Sequence, residues 1–379
     1  MRVVYNGLFL TRPLTGSGQY TAGLLSELPS VMGTDEHVVL VPEVLEGEVP
    51  DGVRLEHVPV SRARLGRGLA LDRWETHDVR GALRRLKADL YHAPYPTPPV
   101  PTDVPVVMTV HDMIPWRRSE YRRGWRRQLK SRRQLAGIAQ ATHLLTVSES
   151  AKQEIVQGTD RHPTDITVTY DGVVADRFTD IIPAAREEVR KRYDLRRPYV
   201  LYFGGFDRRK NVRGLVAAFA QSGLAQTHDL VLAGAVSAPR TALYEDFTRL
   251  PALINQHQLG EAVRRLGFVS KEEKPALLAE ADVFAYPSLA EGFGLPIAEA
   301  LAAGTPVVTS AIPPVQELFA EGVMMVDPGA TEELAAALRE AVSSPSATKI
   351  EAGRKIVQAL TWRAAAEKTA AVFRHAMLG

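Results

Sequence analysis

Two glutamates eight residues apart, Glu291 and Glu299, frame the segment 281–310, ADVFAYPSLAEGFGLPIAEALAAGTPVVTS. A short apolar run ends in a turn. Then come Glu291, Gly292-Phe293-Gly294-Leu295-Pro296 and a helical stretch carrying Glu299. The two glycines let backbone approach a ligand closely, and Pro296 suits a first helical position. The unpaired amides of such a helix start can hold a phosphate. Glu299 lies about one turn into the helix, roughly on the same side, where a carboxylate suits vicinal ribose hydroxyls. A glycosidase acid/base pair is the competing reading. Eight helical residues at ~1.5 Å each would separate the two carboxylates by about 12 Å, beyond the roughly 5–9.5 Å that glycosidases use. Because Glu291 precedes the helix, this exclusion is weak. The bland alternative is a solvated strand-to-helix loop.

Three further segments have the same form of strand, loop and helix start. In 201–211, LYFGGFDRRKN, Gly204-Gly205 leads to Arg208-Arg209-Lys210, with Asn211 placed to cap the next helix. Arg offers bidentate phosphate contacts and Lys a point charge; the alternative is a solvated basic turn. In 3–20, Gly16-Ser17-Gly18 precedes a helix. Thr21 stands where a dinucleotide fingerprint needs its third glycine, so that motif is incomplete. The triplet either lines a phosphate or acceptor site or is a flexible loop capped by Ser17. In 105–116, PVVMTVHDMIPW, His111 and Asp112 follow directly on an apolar strand, where sheet ligands bind. Their spacing is not that of a metal pair, and no metal is expected.

The elements that must position these residues alternate along the chain. Strands are expected at 2–5, 37–41, 89–92, 105–110, 143–147 and 166–170, then at 199–204, 229–233, 263–268, 282–286, 306–309 and 323–326. Helices are expected at 18–29, 69–87, 119–141, 211–222, 240–257, 271–281, 294–303, 331–343 and 361–377. This rhythm is that of an α/β protein with doubly wound parallel sheets covered on both faces. Runs such as VVLV and PVVMTV lack polar alternation, as strands buried on both sides should. The chain divides best in the charged stretch 178–197, giving domains of 1–180 and 195–360. The final helix has no strand after it.

Composition narrows the chemistry. The chain has 379 residues, no Cys and a net charge of +2. Without Cys there is no disulfide, thiolate metal site or cysteine nucleophile, and the usage fits a reducing cytoplasm. No apolar run approaches the ~20 residues of a spanning helix, and the start reads as a strand rather than a signal peptide. The small net charge gives no reason to expect nucleic acid as a partner. It conceals a local excess: residues 54–133 hold 18 Lys and Arg against 8 Asp and Glu, a net of +10. Within them, 117–133 (RRSEYRRGWRRQLKSRR) carries nine basic residues and one acid. On a helix, Tyr121, Trp125 and Leu129 would form a buried seam with Ile138 beyond it. Arg122, Arg123, Arg126, Arg127 and Lys130 would fan around the rest, either as a solvated face or as a contact with an anionic membrane.

Taken together, these motifs resemble the retaining nucleotide-sugar glycosyltransferases of glycosyltransferase family 4, with the GT-B fold and a mannosyltransferase-like subgroup. The resemblance rests on EGFGLPIAEALAAGTPVV with its E-x7-E spacing, on TGSGQYT in the first loop, on VHDMIP and on VSES at 147–150. It implies two Rossmann-like domains facing a cleft, with 361–379 crossing back to the N-terminal, acceptor-side domain. It implies that Arg209 and Lys210 hold the donor diphosphate together with Gly16, Ser17, Gly18, Gly294 and Leu295. Glu299 would bind the ribose; Glu291, Gly292, Phe293 and His111 would surround the transferred sugar, with His111 and Glu291 in catalytic roles. Many members carry Arg directly after the first glycine of this strand end. Gly205 stands there in this chain, so Arg208 or Arg209 must supply that cation. The implied reaction is metal-independent, retaining transfer of a hexose, with GDP-mannose favoured, to a saccharide, glycolipid or other hydroxyl acceptor in polysaccharide biosynthesis. No cofactor is implied beyond the substrate nucleotide sugar, whose base would be read by loops around 234–241 and 268–271. The alternatives are a nucleotide-sugar 2-epimerase on the same architecture and a non-catalytic sugar-nucleotide binding protein.

Overall fold

A computed structural model describes residues 1–13, 15–42, 50–60, 66–122, 124–234 and 245–378. It divides into two units, Met1–Gly172 with Thr361–Gly379, and Val173–Leu360. The division falls between Gly172 and Val173, ahead of the charged stretch 178–197. Much of that stretch instead folds as the helix Pro183–Arg192 of the second unit.

The first unit holds a seven-stranded parallel sheet. Its strands are β1 (Arg2–Asn6), β2 (Glu36–Val41), β3 (Val53–His57), β4 (Leu90–Ala93), β5 (Val106–Thr109), β6 (His143–Thr146) and β7 (Ile166–Val168), in the order β3-β2-β1-β4-β5-β6-β7. Pairing is in register, Val3 opposite His37 on one side and Leu90 on the other. Val4, Val38, Tyr91, Met108 and Leu144 are almost fully buried in the core beneath the covering helices, together with Trp74 and Leu83. Six strands were expected here, and β3 is the addition. Its sequence VRLEH is half-exposed along an edge and has no apolar run to reveal it.

The second unit repeats the plan with six strands: β8 (Tyr199–Phe203), β9 (Asp229–Ala233), β10 (Val263–Gly267), β11 (Val283–Tyr286), β12 (Val307–Ser310) and β13 (Met324–Val326). Their order is β10-β9-β8-β11-β12-β13, again all parallel. In both sheets the strand order reverses beside the first strand, between β1 and β4 and between β8 and β11. Crossovers leave such a point in opposite directions and open a crevice at the carboxyl ends of the strands. The helices Glu149–Gly158 and Ala347–Ala359 were not foreseen, while 331–343 forms as expected.

The last helix, Trp362–Ala376, belongs to the first unit. The Thr361 hydroxyl caps it by accepting from the Ala364 N–H at 3.1 Å. Its buried residues Trp362, Ala365, Ala366, Thr369, Ala370 and Phe373 follow helical spacing and pack on the helix Gly16–Met32.

The basic segment departs from the expected buried seam. The helix starts at Trp125 and runs to Gln140. Trp125 is 70% exposed and Leu129 50% exposed, whereas Ile138 is fully buried. The four-residue spacing is present, but only the second half of the helix meets the domain. Arg123 lies outside the described residues.

Candidate active site

The crevice of the second sheet is built from the loops after β8 and β11. Burying β8 on both faces aims Phe203-Gly204-Gly205 at the crevice, and a single 3-10 turn, Arg208–Lys210, follows. From the other side, Ser288, Ala290 and Glu291 follow β11. The Leu289 N–H donates to Arg209 O at 2.7 Å, tying the two loops together. Lys210 donates to Glu291 Oε1 at 2.6 Å. Arg209 donates through Nη1 to Glu291 Oε2 at 2.8 Å and to Ala290 O at 2.9 Å, and its Nε lies 3.1 Å from Asp207. Ser288 donates to Glu291 as well, and the Lys210 ammonium lies 4.8 Å from the centre of the Tyr286 ring, touching its hydroxyl. Arg208 is exposed and joins none of this, so the cation beside Lys210 is Arg209.

Burial pushes the Glu291 carboxyl upward, but Arg209 first and Lys210 next overcome that, bringing it down to about 2. Burial and the neighbouring Arg209 lower Lys210 from its ordinary value. Glu291 is therefore ionised at any physiological pH and is no proton donor. Two cations are held on one carboxylate in a dry crevice, where a fixed charge array stabilises incoming negative charge most strongly.

The helix Leu295–Ala303 opens onto this crevice. Gly294, at φ 112°, sets its start in a conformation that favours glycine. Pro296 stands at the second helical position rather than the first. The N–H groups of Phe293, Gly294 and Leu295 have no acceptor among the described residues, and Gly292 is buried beside them. The Phe293 ring is turned inward, edge-on to Phe319. Its backbone, rather than its side chain, is available to a ligand. Glu299 is buried on this helix and pairs with Lys274, which no sequence pattern singled out. Glu291 thus holds two cations and Glu299 one. Asn211 does not cap the next helix through its side chain; it enters it at φ 53°.

The first sheet's crevice is built differently. The Thr15 hydroxyl accepts from the Gly18 N–H at 3.1 Å, so Thr15 rather than Ser17 is the cap, and Gly16, Ser17 and Gly18 form the first helical turn. Gly18 is required by crowding: a Cβ there would lie 2.3 Å from Arg12 O, while Gly16 faces open space. His111, beyond β5, places Nε2 at 2.9 Å from Pro94 O. Facing a carbonyl, Nε2 carries the proton and Nδ1 is left as an acceptor. Burial drives His111 down to about 4, so its ring is neutral. Tyr20 stands edge-on to it at 4.8 Å and joins Thr109 at 3.0 Å, a support that spacing alone does not reveal although Tyr20 lies in the TGSGQYT motif. Asp112 accepts from the Ile114 N–H and serves the turn. Among the described residues no group of three or more His, Asp or Glu is placed to hold a metal ion. Of the expected base-reading loops, 235–241 lies outside the described residues. In the other, Phe268 is 57% exposed just past β10.

Residues 14–177 match the family model of "Glycosyltransferase Family 4", and residues 185–356 match that of "Glycosyl transferases group 1". The chain is 28% identical over 374 residues to O-antigen chain mannosyltransferase B of Escherichia coli, covering 95% of each. It is 33% identical over 293 residues to a glycogen synthase of Mycobacterium tuberculosis, covering 73% of this chain and 64% of that one. Among solved structures it is similar to sucrose-phosphate synthase from Thermosynechococcus elongatus, with a TM-score of 0.80 at 21% identity over 99% of this chain and 98% of that one.

Proposed function

We propose a specific reaction for this chain on the premise that it belongs to the group 1 and family 4 glycosyltransferases: retaining transfer of a hexose from a nucleoside-diphosphate sugar to a hydroxyl acceptor. The observation that carries the reading is the pairing of Lys210 and Arg209 on Glu291 at the second sheet's crevice. The donor diphosphate takes over these cations and the free amides of Phe293 to Leu295. Glu291, released from its partners, accepts hydroxyls of the sugar. The bond between the anomeric carbon and the phosphate oxygen breaks, and both electrons leave with the nucleoside diphosphate. Lys210, Arg209 and the helix start stabilise that charge without a metal ion. The acceptor oxygen bonds to the anomeric carbon on the face the phosphate leaves, and its proton passes to a leaving phosphate oxygen. Neutral His111 offers Nδ1 to a substrate hydroxyl. Mannose is the favoured sugar, in line with the E. coli mannosyltransferase that matches along its length, and GDP the favoured carrier.

The test is thermal unfolding with GDP, UDP and ADP added separately. One of them, GDP by this reading, raises Tm in proportion to ln(1 + [L]/Kd). No shift with any of the three overturns the donor site.

The acceptor we propose is a saccharide or lipid-linked saccharide met at an anionic bilayer. Trp125 and Leu129 project from a helix flanked by Arg122, Arg126, Arg127, Lys130 and Arg132. Arg122, Arg126, Arg127 and Arg132 form no salt bridge among the described residues; Lys130 acts on the buried Glu75, and Arg126 lies 5.2 Å from the centre of the Trp125 ring. Each cation adds about 1 kcal/mol of attraction near anionic lipid, and Trp suits the headgroup level. No helix among the described residues is long and apolar enough to cross a membrane. Flotation with phosphatidylglycerol vesicles should carry the protein, and phosphatidylcholine vesicles should not. Equal recovery with both overturns the contact.

A further inference from the structure

Three elements of the second unit converge on one buried ion pair. Lys274 opens the helix Lys274–Glu280, its N–H donating to Ser270 O at 3.2 Å. Its ammonium contacts Glu299 Oε2 and lies 4.5 Å from the centre of the Phe203 ring, at the end of β8. Lys274 is 8% exposed and Glu299 7%. Glu299 Oε1 has no partner among the described residues.

A pair of this kind contributes little to stability, because desolvating two charges offsets most of their attraction. Its position gives it another use. Glu299 lies on the helix whose start faces the crevice, and Phe203 directly precedes Gly204-Gly205. Lys274 brings a cation to this end of β8. A carboxylate that accepts from vicinal hydroxyls beside a diphosphate must stay charged close to other negative charge. A lysine clamped on one of its oxygens meets that need and fixes where the other oxygen points.

We infer that Lys274 is a positioning residue of the donor site: it clamps Glu299 Oε2 so that Oε1 is presented to the ribose hydroxyls of the nucleotide. This rests on the donor site proposed above, and on Glu299 facing the ribose there, the role the family resemblance implies for it. Lys274 acts through Glu299 and governs ribose recognition, not the diphosphate, which stays with Arg209 and Lys210.

The test compares GDP with 2′-deoxy-GDP by calorimetric titration of the full chain, with UDP and its deoxy form substituted if UDP is the nucleotide that binds. Hydrogen bonds to a charged group make the parental protein favour the ribose form by about tenfold or more. In Lys274→Met the ribose form should weaken to the level of the deoxy form, with the deoxy affinity within about threefold of parental. Lys274→Arg should restore the ratio. Lys274→Gln keeps an N–H donor without the charge; it carries the comparison if the methionine variant does not fold, and its ratio should fall below the parental one. A parental ratio in Lys274→Met, or in the glutamine variant standing in for it, overturns the inference, as does an equal loss of both nucleotides. If the parental protein binds neither form of any nucleotide, the donor-site reading itself has failed, a result distinct from an unchanged ratio.

Discussion

Glu291 in the second unit and Asp171 in the first are both buried carboxyl groups, and their surroundings drive them in opposite directions. Arg209 and Lys210 bring Glu291 down to about 2 against the effect of burial. Asp171 has no such cation. Burial alone raises it to about 8, and its Oδ1 has no hydrogen-bond partner. The same contrast separates the two crevices. One sheet's switch point is filled with paired charges; the other carries a neutral histidine, a tyrosine and a helix start. Equivalent strand orders therefore set up different chemistry.

The largest effect should come from breaking the charged side. Lys210→Ala or Glu291→Ala should lower transfer by about 10²–10³, as loss of a group aimed at developing charge does. The removal of either also leaves its partner buried and unpaired. Sugar transfer at the parental rate in either variant would remove this crevice from the reaction. Next in size is the first sheet's helix start. Gly18→Ala should lower unfolding free energy by about 1–3 kcal/mol, because the added methyl meets the Arg12 carbonyl. Gly16→Ala has room and should unfold in urea at the parental midpoint. A loss of kcat/KM in that variant would therefore report a ligand passing close to the backbone.

Removing His111 should cost less, about tenfold in kcat/KM for one hydrogen bond. Because its pKa lies at about 4, protonation removes the Nδ1 acceptor only as pH falls toward that value. The parental kcat/KM profile should accordingly show no break from His111 near 6.5; a break there that vanishes in His111→Ala would show a charged imidazole at work. Asp171 bears on stability rather than on transfer. Its pKa is raised on folding, so its contribution to stability is complete below about 4 and is lost as pH rises through about 8. Glu291, lowered on folding, has the opposite slope: its contribution is complete above about 4.5 and is lost as pH falls toward 2. Asp171→Asn should flatten the decline in Tm between about pH 4 and 8, and an unchanged slope would show that another group titrates there.

Much of the second crevice was legible because its parts are local. The turn after β11, Gly294 and the helix with Glu299 occupy one continuous stretch whose chemistry follows from order and spacing. Arg209 and Lys210 stood in a second such stretch. What spacing could not say is which of two adjacent arginines turns inward, since both fit the turn. Lys274 was invisible for a different reason: a lone lysine in a charged stretch looks solvated until the fold brings it to Glu299 and Phe203. The seam expected from Tyr121, Trp125 and Leu129 failed because periodicity shows which residues share a face, not whether anything covers that face.

The amino-acid sequence by itself determined the alternation of strands and helices, the doubled parallel-sheet plan and the two glycine-bearing turns that lead into helices. These depend on apolar runs, glycines and neighbours within about ten residues. The tertiary structure decided the charge states, the partners of Glu291 and Glu299, the neutrality of His111 and the exposure of Trp125. Each of these depends on burial and on groups far away in the chain, and both are fixed only when the sheets close their cores.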